Sequence, residues 1–137
     1  MKTLQPYTSF NRTKSIEELQ YYILRAKTSL EYLKFELNFF KSLLSKPIYK
    51  TKEINLYETL VNYKREIHTL NENNKELLTQ LLLHANQIKK MKYKDLPFNN
   101  LFIKKHDDLE LSIFNFKTKI SDFKFRLFQY LESVVIN

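Results

Sequence analysis

The stretch from Ser112 to Leu131, SIFNFKTKISDFKFRLFQYL, decides the fold. Read in twos, Phe114-Asn115-Phe116-Lys117 and Phe123-Lys124-Phe125-Arg126 alternate like a strand with one apolar face. Read in sevens, Ile113, Phe116, Ile120, Phe123, Leu127 and Tyr130 form one stripe of a helix. The alternation lasts only a few residues at a time. The seven-residue repeat extends from Phe102 through His106 and Leu109 to Val134, so the stretch reads as helix.

Two other tracts share the repeat. The first runs Ile16, Leu19, Ile23, Ala26, Leu30, Leu33, Leu37, Phe40, Leu44. Its spacings alternate three and four without a slip. Ser15 and Glu18 have the spacing of a capping box at its start, and Pro47 ends it. The second runs Leu56, Leu60, Tyr63, Ile67, Leu70, Asn74, Leu77, Leu81, His84, Ile88, Met91. Thr51 is its expected N-cap. Asn71-Glu72-Asn73-Asn74 is a place where a helix could break, since asparagine favours caps. The heptad phase runs straight through it, so one continuous helix is expected. Asp95, before Leu96-Pro97, is the expected cap of the third helix.

Composition agrees. The 137 residues are enough for one domain with a real core. There is no glycine, which tight hairpin turns need for positive backbone angles. The fold class expected is all-α: an elongated antiparallel up-down-up three-helix bundle, coiled-coil-like, with helices at about 15–46, 52–92 and 96–135. Residues 1–14 form an N-terminal extended segment, and 15–137 one bundle domain. The first seam is roughly 42 Å long at 1.5 Å per residue. Folding back near residues 50 and 95 pairs Leu44 with Leu56, Phe40 with Leu60 and Ile16 with His84. The second turn pairs Leu60 with Tyr130, Leu77 with Ile113 and His84 with His106. Ala26, Asn74 and Phe116 then share a central layer. There Asn74 either fixes the register or turns to solvent. The layout is similar to that of spectrin-type three-helix bundles, a likeness of architecture that implies no function.

The seam leaves apolar residues over. Tyr32, Phe35 and Phe39 lie nearly on one line of the first helix, and Phe114, Phe125 and Phe128 on one line of the third, with Leu111 beside them. A lone bundle would expose a long aromatic patch, which monomers rarely tolerate. Self-association is the economical explanation: a homodimer with six helices. A wide flanking core, or a groove for a foreign helix or apolar ligand, are the alternatives.

Candidate chemistry is sparse. His84 and His106 meet in the expected register, and Glu110 lies one turn away. Together they are the candidate metal ligands, but two imidazoles and one carboxylate are a thin set. A semi-exposed polar layer closing the bundle end is the plainer reading. No cofactor is expected. His68 is an outward histidine. The lack of glycine forbids a phosphate-cradling loop, and no nucleophile-plus-base arrangement stands out, so no catalytic residue is named and no enzyme is expected.

Lys+Arg number 23 against 15 Asp+Glu, a formal charge of +8. Arg12, Lys14, Lys89, Lys90, Lys92, Lys94, Lys104 and Lys105 should gather at one pole, blunted by acids of the same end. Such a pole can grip phosphates, but no nucleic-acid-binding signature accompanies it. No run approaches the roughly 18 apolar residues of a membrane span, and no signal-peptide core is evident. Zero cysteine fits a reducing, cytoplasmic setting. The leading expectation is a non-enzymatic helical scaffold or adaptor that self-associates. The alternative is a basic nucleic-acid-associated or regulatory protein using the lysine pole, and a metal-binding bundle comes third.

Overall fold

A computed structural model describes residues 9–96 and 99–136. Three helices carry the fold: α1 (Ile16–Leu44), α2 (Leu56–Tyr93) and α3 (Asn100–Val134). A 3-10 turn over Asn11–Thr13 precedes them. Of the segment expected to be extended, residues 1–8 lie outside the described residues.

The heptad residues are the core. From Leu19 to Val134, almost every stripe position is buried; Ile16, Leu33, Tyr63 and Tyr130 are partly buried and pack against the rest. Phe123, Leu30, Leu37, Ile67 and Leu127 are fully enclosed. Truncating one such side chain to alanine costs about 2–5 kcal/mol. α2 is continuous through Asn71–Asn74. Ile103 and Leu131 are buried too, outside the strict stripe, as globular helices bury more than a coiled-coil seam.

Helix ends differ from expectation in two places. At α1, Ser15 accepts from the Glu18 amide while Glu18 accepts from the Ser15 amide, the capping box the spacing predicts. Thr51 does not cap α2. Asn55 holds that position with a left-handed φ of 60° and no side-chain cap, and the helix begins at Leu56. The connection is spent otherwise. Tyr49 forms a single antiparallel bridge with Val135. The Lys50 amide donates to the Val134 carbonyl at 2.7 Å, and the Ile136 amide to the Ile48 carbonyl at 2.8 Å. Carbonyls at the end of α3 have no helical partner of their own, and the connection supplies one. The Tyr49 ring is buried, its hydroxyl donating to the Leu43 carbonyl at 2.6 Å.

Asp95 does not cap α3 either; it ends α2. Its φ is 52°, its amide donates to Lys92, and the Leu96 amide reaches back to Met91. That is the double bond of a Schellman motif, with aspartate where glycine is usual. Asn99 caps α3, accepting from the Phe102 amide at 2.7 Å. Pro97 lies outside the described residues.

The α2–α3 register is as expected. Besides the His84–His106 contact, Arg126 makes a two-pronged pair with Glu66, and Tyr63 donates to the Arg126 carbonyl at 3.3 Å. α1 differs. The Asn74 amide group donates to the Leu30 carbonyl at 2.8 Å, Asn71 to Asn38 at 3.2 Å, and Lys92 pairs with Glu17 at 3.5 Å. These contacts set α1 roughly one heptad further along α2 than a fold-back at residue 50 would place it. Asn74 therefore meets Leu30, not a layer with Ala26. It is buried, and its Oδ1 has no hydrogen-bond partner. The slip follows from the connection, whose residues 45–55 stay non-helical.

Replacing Asp95 by glycine should raise stability by about 0.5–1 kcal/mol, because it relieves a left-handed non-glycine residue and removes an anion from a helix C-terminus. Chemical denaturation of Asp95→Gly beside the parent checks this; an unchanged or lowered midpoint would contradict the assigned helix end.

Candidate functional site

Among the described residues, a pair of buried titratable groups lies between α2 and α3. His84 and His106 are in-stripe, so the helical phase that buries leucines elsewhere buries these imidazoles. Their exposures are 7% and 1%, which corrects the expectation of a semi-exposed layer. Ile88, Met91, Phe102 and Ile103 are also buried, and Ile88 and Met91 follow His84 along the α2 stripe.

His84 Nε2 stands 2.8 Å from His106 Nδ1. Phe102 stacks on the His84 ring at 4.9 Å, and Tyr22 of α1 meets His106 edge-on at 5.3 Å. Tyr22, absent from the sequence-derived stripe, takes the place expected for Ile16. Glu110 Oε2 lies 3.7 Å from His106 Nε2. A neutral imidazole carries one N–H. The carboxylate favours that proton on His106 Nε2, which leaves Nδ1 as acceptor and makes His84 Nε2 the donor.

Burial holds both imidazoles down, to about 4. For His84, the neighbouring His106 and Lys105 add to the depression. For His106, Asp107 opposes it and Lys14 adds to it. Burial and the Glu110 charge push the Tyr22 phenol up. The pair is thus neutral near pH 7. A hydrogen bond between the two facing nitrogens also leaves no room for an ion bridging them. Among the described residues no group of three or more His, Cys, Asp or Glu side chains is arranged to hold a metal.

The N-terminal segment reaches this end. Asn11 is buried and donates to Asp107 Oδ1 at 2.6 Å, and the Ser9 hydroxyl donates to the same oxygen at 2.7 Å. No sequence pattern marked Asn11 or Ser9; a lone Asn ahead of a cap carries no periodic signal.

The basic residues are placed on and just after the 3-10 turn, at the end of α2 and at the start of α3; Lys14 is half-buried and the others are exposed. Their charge is partly spent: Lys92 pairs with Glu17 at 3.5 Å and Lys104 with Asp108 at 3.1 Å.

The spare aromatics come together more tightly. Phe39 of α1 and Phe128 of α3 both contact buried Phe40, at 5.9 and 5.5 Å between ring centroids. Glu36 and Lys124 close the same α1–α3 seam at 2.8 Å. Tyr32, Phe35 and Phe125 are exposed along with them, Phe35 to 81%, while Leu111 and Phe114 are less so. Neither a protein family, nor a curated protein, nor a solved structure matches this chain. Among the described residues no helix is long and apolar enough to cross a membrane.

Acid should loosen the histidine end. Both folded values sit below the unfolded value of about 6.5, so the unfolded chain takes up protons first. The neutral pair's contribution is full above about pH 6.5 and is lost as pH falls toward 4. By pH 5.5 the loss for the pair is on the order of 2 kcal/mol. Thermal unfolding from pH 7.5 to 5.5 should show it, and His84→Leu with His106→Leu should flatten it. A parent chain with no change over that range would contradict the buried, neutral pair.

Proposed function

We propose that this chain is a non-enzymatic helical scaffold or adaptor that self-associates through the face shared by α1 and α3. The observation that carries this reading is the aromatic patch around Phe40. Phe39 and Phe128 lean on that one buried ring from two helices, and Phe35 and Phe125 extend the exposed surface. Aromatics are enriched at the centres of protein interfaces, where each buries a large area with few rotatable bonds. Leaving several of them in water on one contiguous face is unfavourable at about 25 cal/mol per Å² of apolar surface. A second copy would cover the face symmetrically.

A basic pole that recruits nucleic acid is the other reading, and the pairing of Lys92 and Lys104 with acids weakens it. Sedimentation at several salt concentrations separates the two. The parent should sediment as a dimer that is insensitive to salt and indifferent to duplex DNA and RNA. Phe39→Glu with Phe128→Glu should give a monomer with unchanged helical circular dichroism. A parent that stays monomeric at high micromolar concentration, or a dimer that survives both substitutions, would contradict self-association by this face. Salt-sensitive co-sedimentation with nucleic acid, lost on reversing Lys89, Lys90 and Lys94, would favour the basic pole.

A further inference from the structure

The open side of the α1–α2 pair carries a groove of about 900 Å³. It is distinct from the aromatic face, since no α3 residue lines it. Its floor is apolar toward one end, with Leu24 and Leu82 about 60% exposed and Leu78 and Ala85 partly buried. On α1 it reaches from Gln20 to Asn38, roughly 27 Å at 1.5 Å per residue.

The rims have a period. Lys27 and Lys34 border the groove on α1, one heptad apart. Lys75, Leu82 and Lys89 border it on α2, again one heptad apart. Residues at these flanking positions in helical bundles choose partners by charge. Four lysines stand against Glu31 and Glu72, and Glu31 is 3.9 Å from Lys27. At the end away from Leu24 and Leu82, Asn38, Asn71 and Asn74 interrupt the floor. Asn71 and Asn74 each retain a side-chain oxygen without a hydrogen-bond partner.

We infer that the α1–α2 groove is a docking site for an acidic amphipathic helix of a partner protein, about five turns long, lying as a fourth helix against the bundle. Cations in heptad phase, one repeat apart on α1 and two repeats apart on α2, call for an occupant of the same period with carboxylates on both flanks. A second copy of this chain fits badly. It carries a net charge of +8, and it would bring lysine rims against lysine rims. A fatty acyl chain would use the floor and leave the paired, periodic rims without a role.

The inference does not depend on self-association, because it involves other residues. It is tested by displaying a library of 18-residue amphipathic helices with leucine at the inward positions and Glu, Lys or Gln randomised at the flanks. The library is panned on the full chain. Selected peptides should converge on Glu at both flanks and bind about tenfold more weakly when salt is raised from low to physiological strength. They should lose binding to the Leu24→Glu, Leu82→Glu chain. Reversal of Lys27, Lys34, Lys75 and Lys89 to Glu should turn the preference to Lys. Circular dichroism checks that both variants stay helical. Convergence on Lys or Gln, no retained clone, or acidic clones that bind the Leu24→Glu, Leu82→Glu chain equally well would overturn the inference. A dimer abolished by the Leu24 and Leu82 substitutions would also overturn it, by making the occupant a second copy.

Discussion

Burial of one apolar stripe per helix, shared three ways, is the constraint on which the rest of this structure depends. None of the helices has another means of staying folded. There is no disulfide, and glycine is lacking to make compact turns. Each helix is amphipathic, and each stripe is enclosed by the other two. The connections then serve the stripes. The first pairs its backbone with the end of α3 through Tyr49, Lys50 and Ile48, which ties the first turn to the far terminus. The second ends α2 in a left-handed aspartate and starts α3 from an asparagine cap.

The polar groups inside that seam locate it. An imidazole pair at 2.8 Å can form only where α2 and α3 are in a single register, since a shift of one turn would leave two buried imidazoles unpaired at a cost of several kcal/mol. Asn74 works similarly between α2 and α1, through the Leu30 carbonyl. Leucine layers tolerate slippage; these do not. The same groups make the end near the N-terminal segment the place where pH and packing meet, because Asp107 beside His106 also receives Asn11 and Ser9.

Much of the fold was legible because heptad phase is a strong signal over more than thirty residues. It picked the buried positions, the continuity of α2 and the meeting of His84 with His106. Phase alone cannot detect a slip of a whole heptad, because every position maps onto an equivalent one. The slip of α1 was set by the length of non-helical connection, which depends on Tyr49 pairing with Val135, a contact remote in sequence. The caps failed for a related reason: Thr51 and Asp95 are good capping residues, but tertiary contacts and a Schellman turn took those positions. Of the candidate site, the histidines were legible from phase, whereas Tyr22 and Asn11 were not. Tyr22 stands beside the stripe, and Asn11 is buried only because Asp107 draws it in. The grouping of Phe39 and Phe128 about Phe40 needed the α1–α3 offset, which no single-helix pattern contains.

Two exposed surfaces follow from this packing, an aromatic one over α1 and α3 and a lysine-rimmed one over α1 and α2. Both inherit their alignment from the buried register, so the register is the claim to test. Nitrogen-resolved NMR of histidine-labelled protein at neutral pH reads it directly. A scalar coupling across the hydrogen bond between His84 Nε2 and His106 Nδ1, with both rings neutral, is the expected result. Two uncoupled rings titrating near their ordinary value of about 6.5 would contradict it.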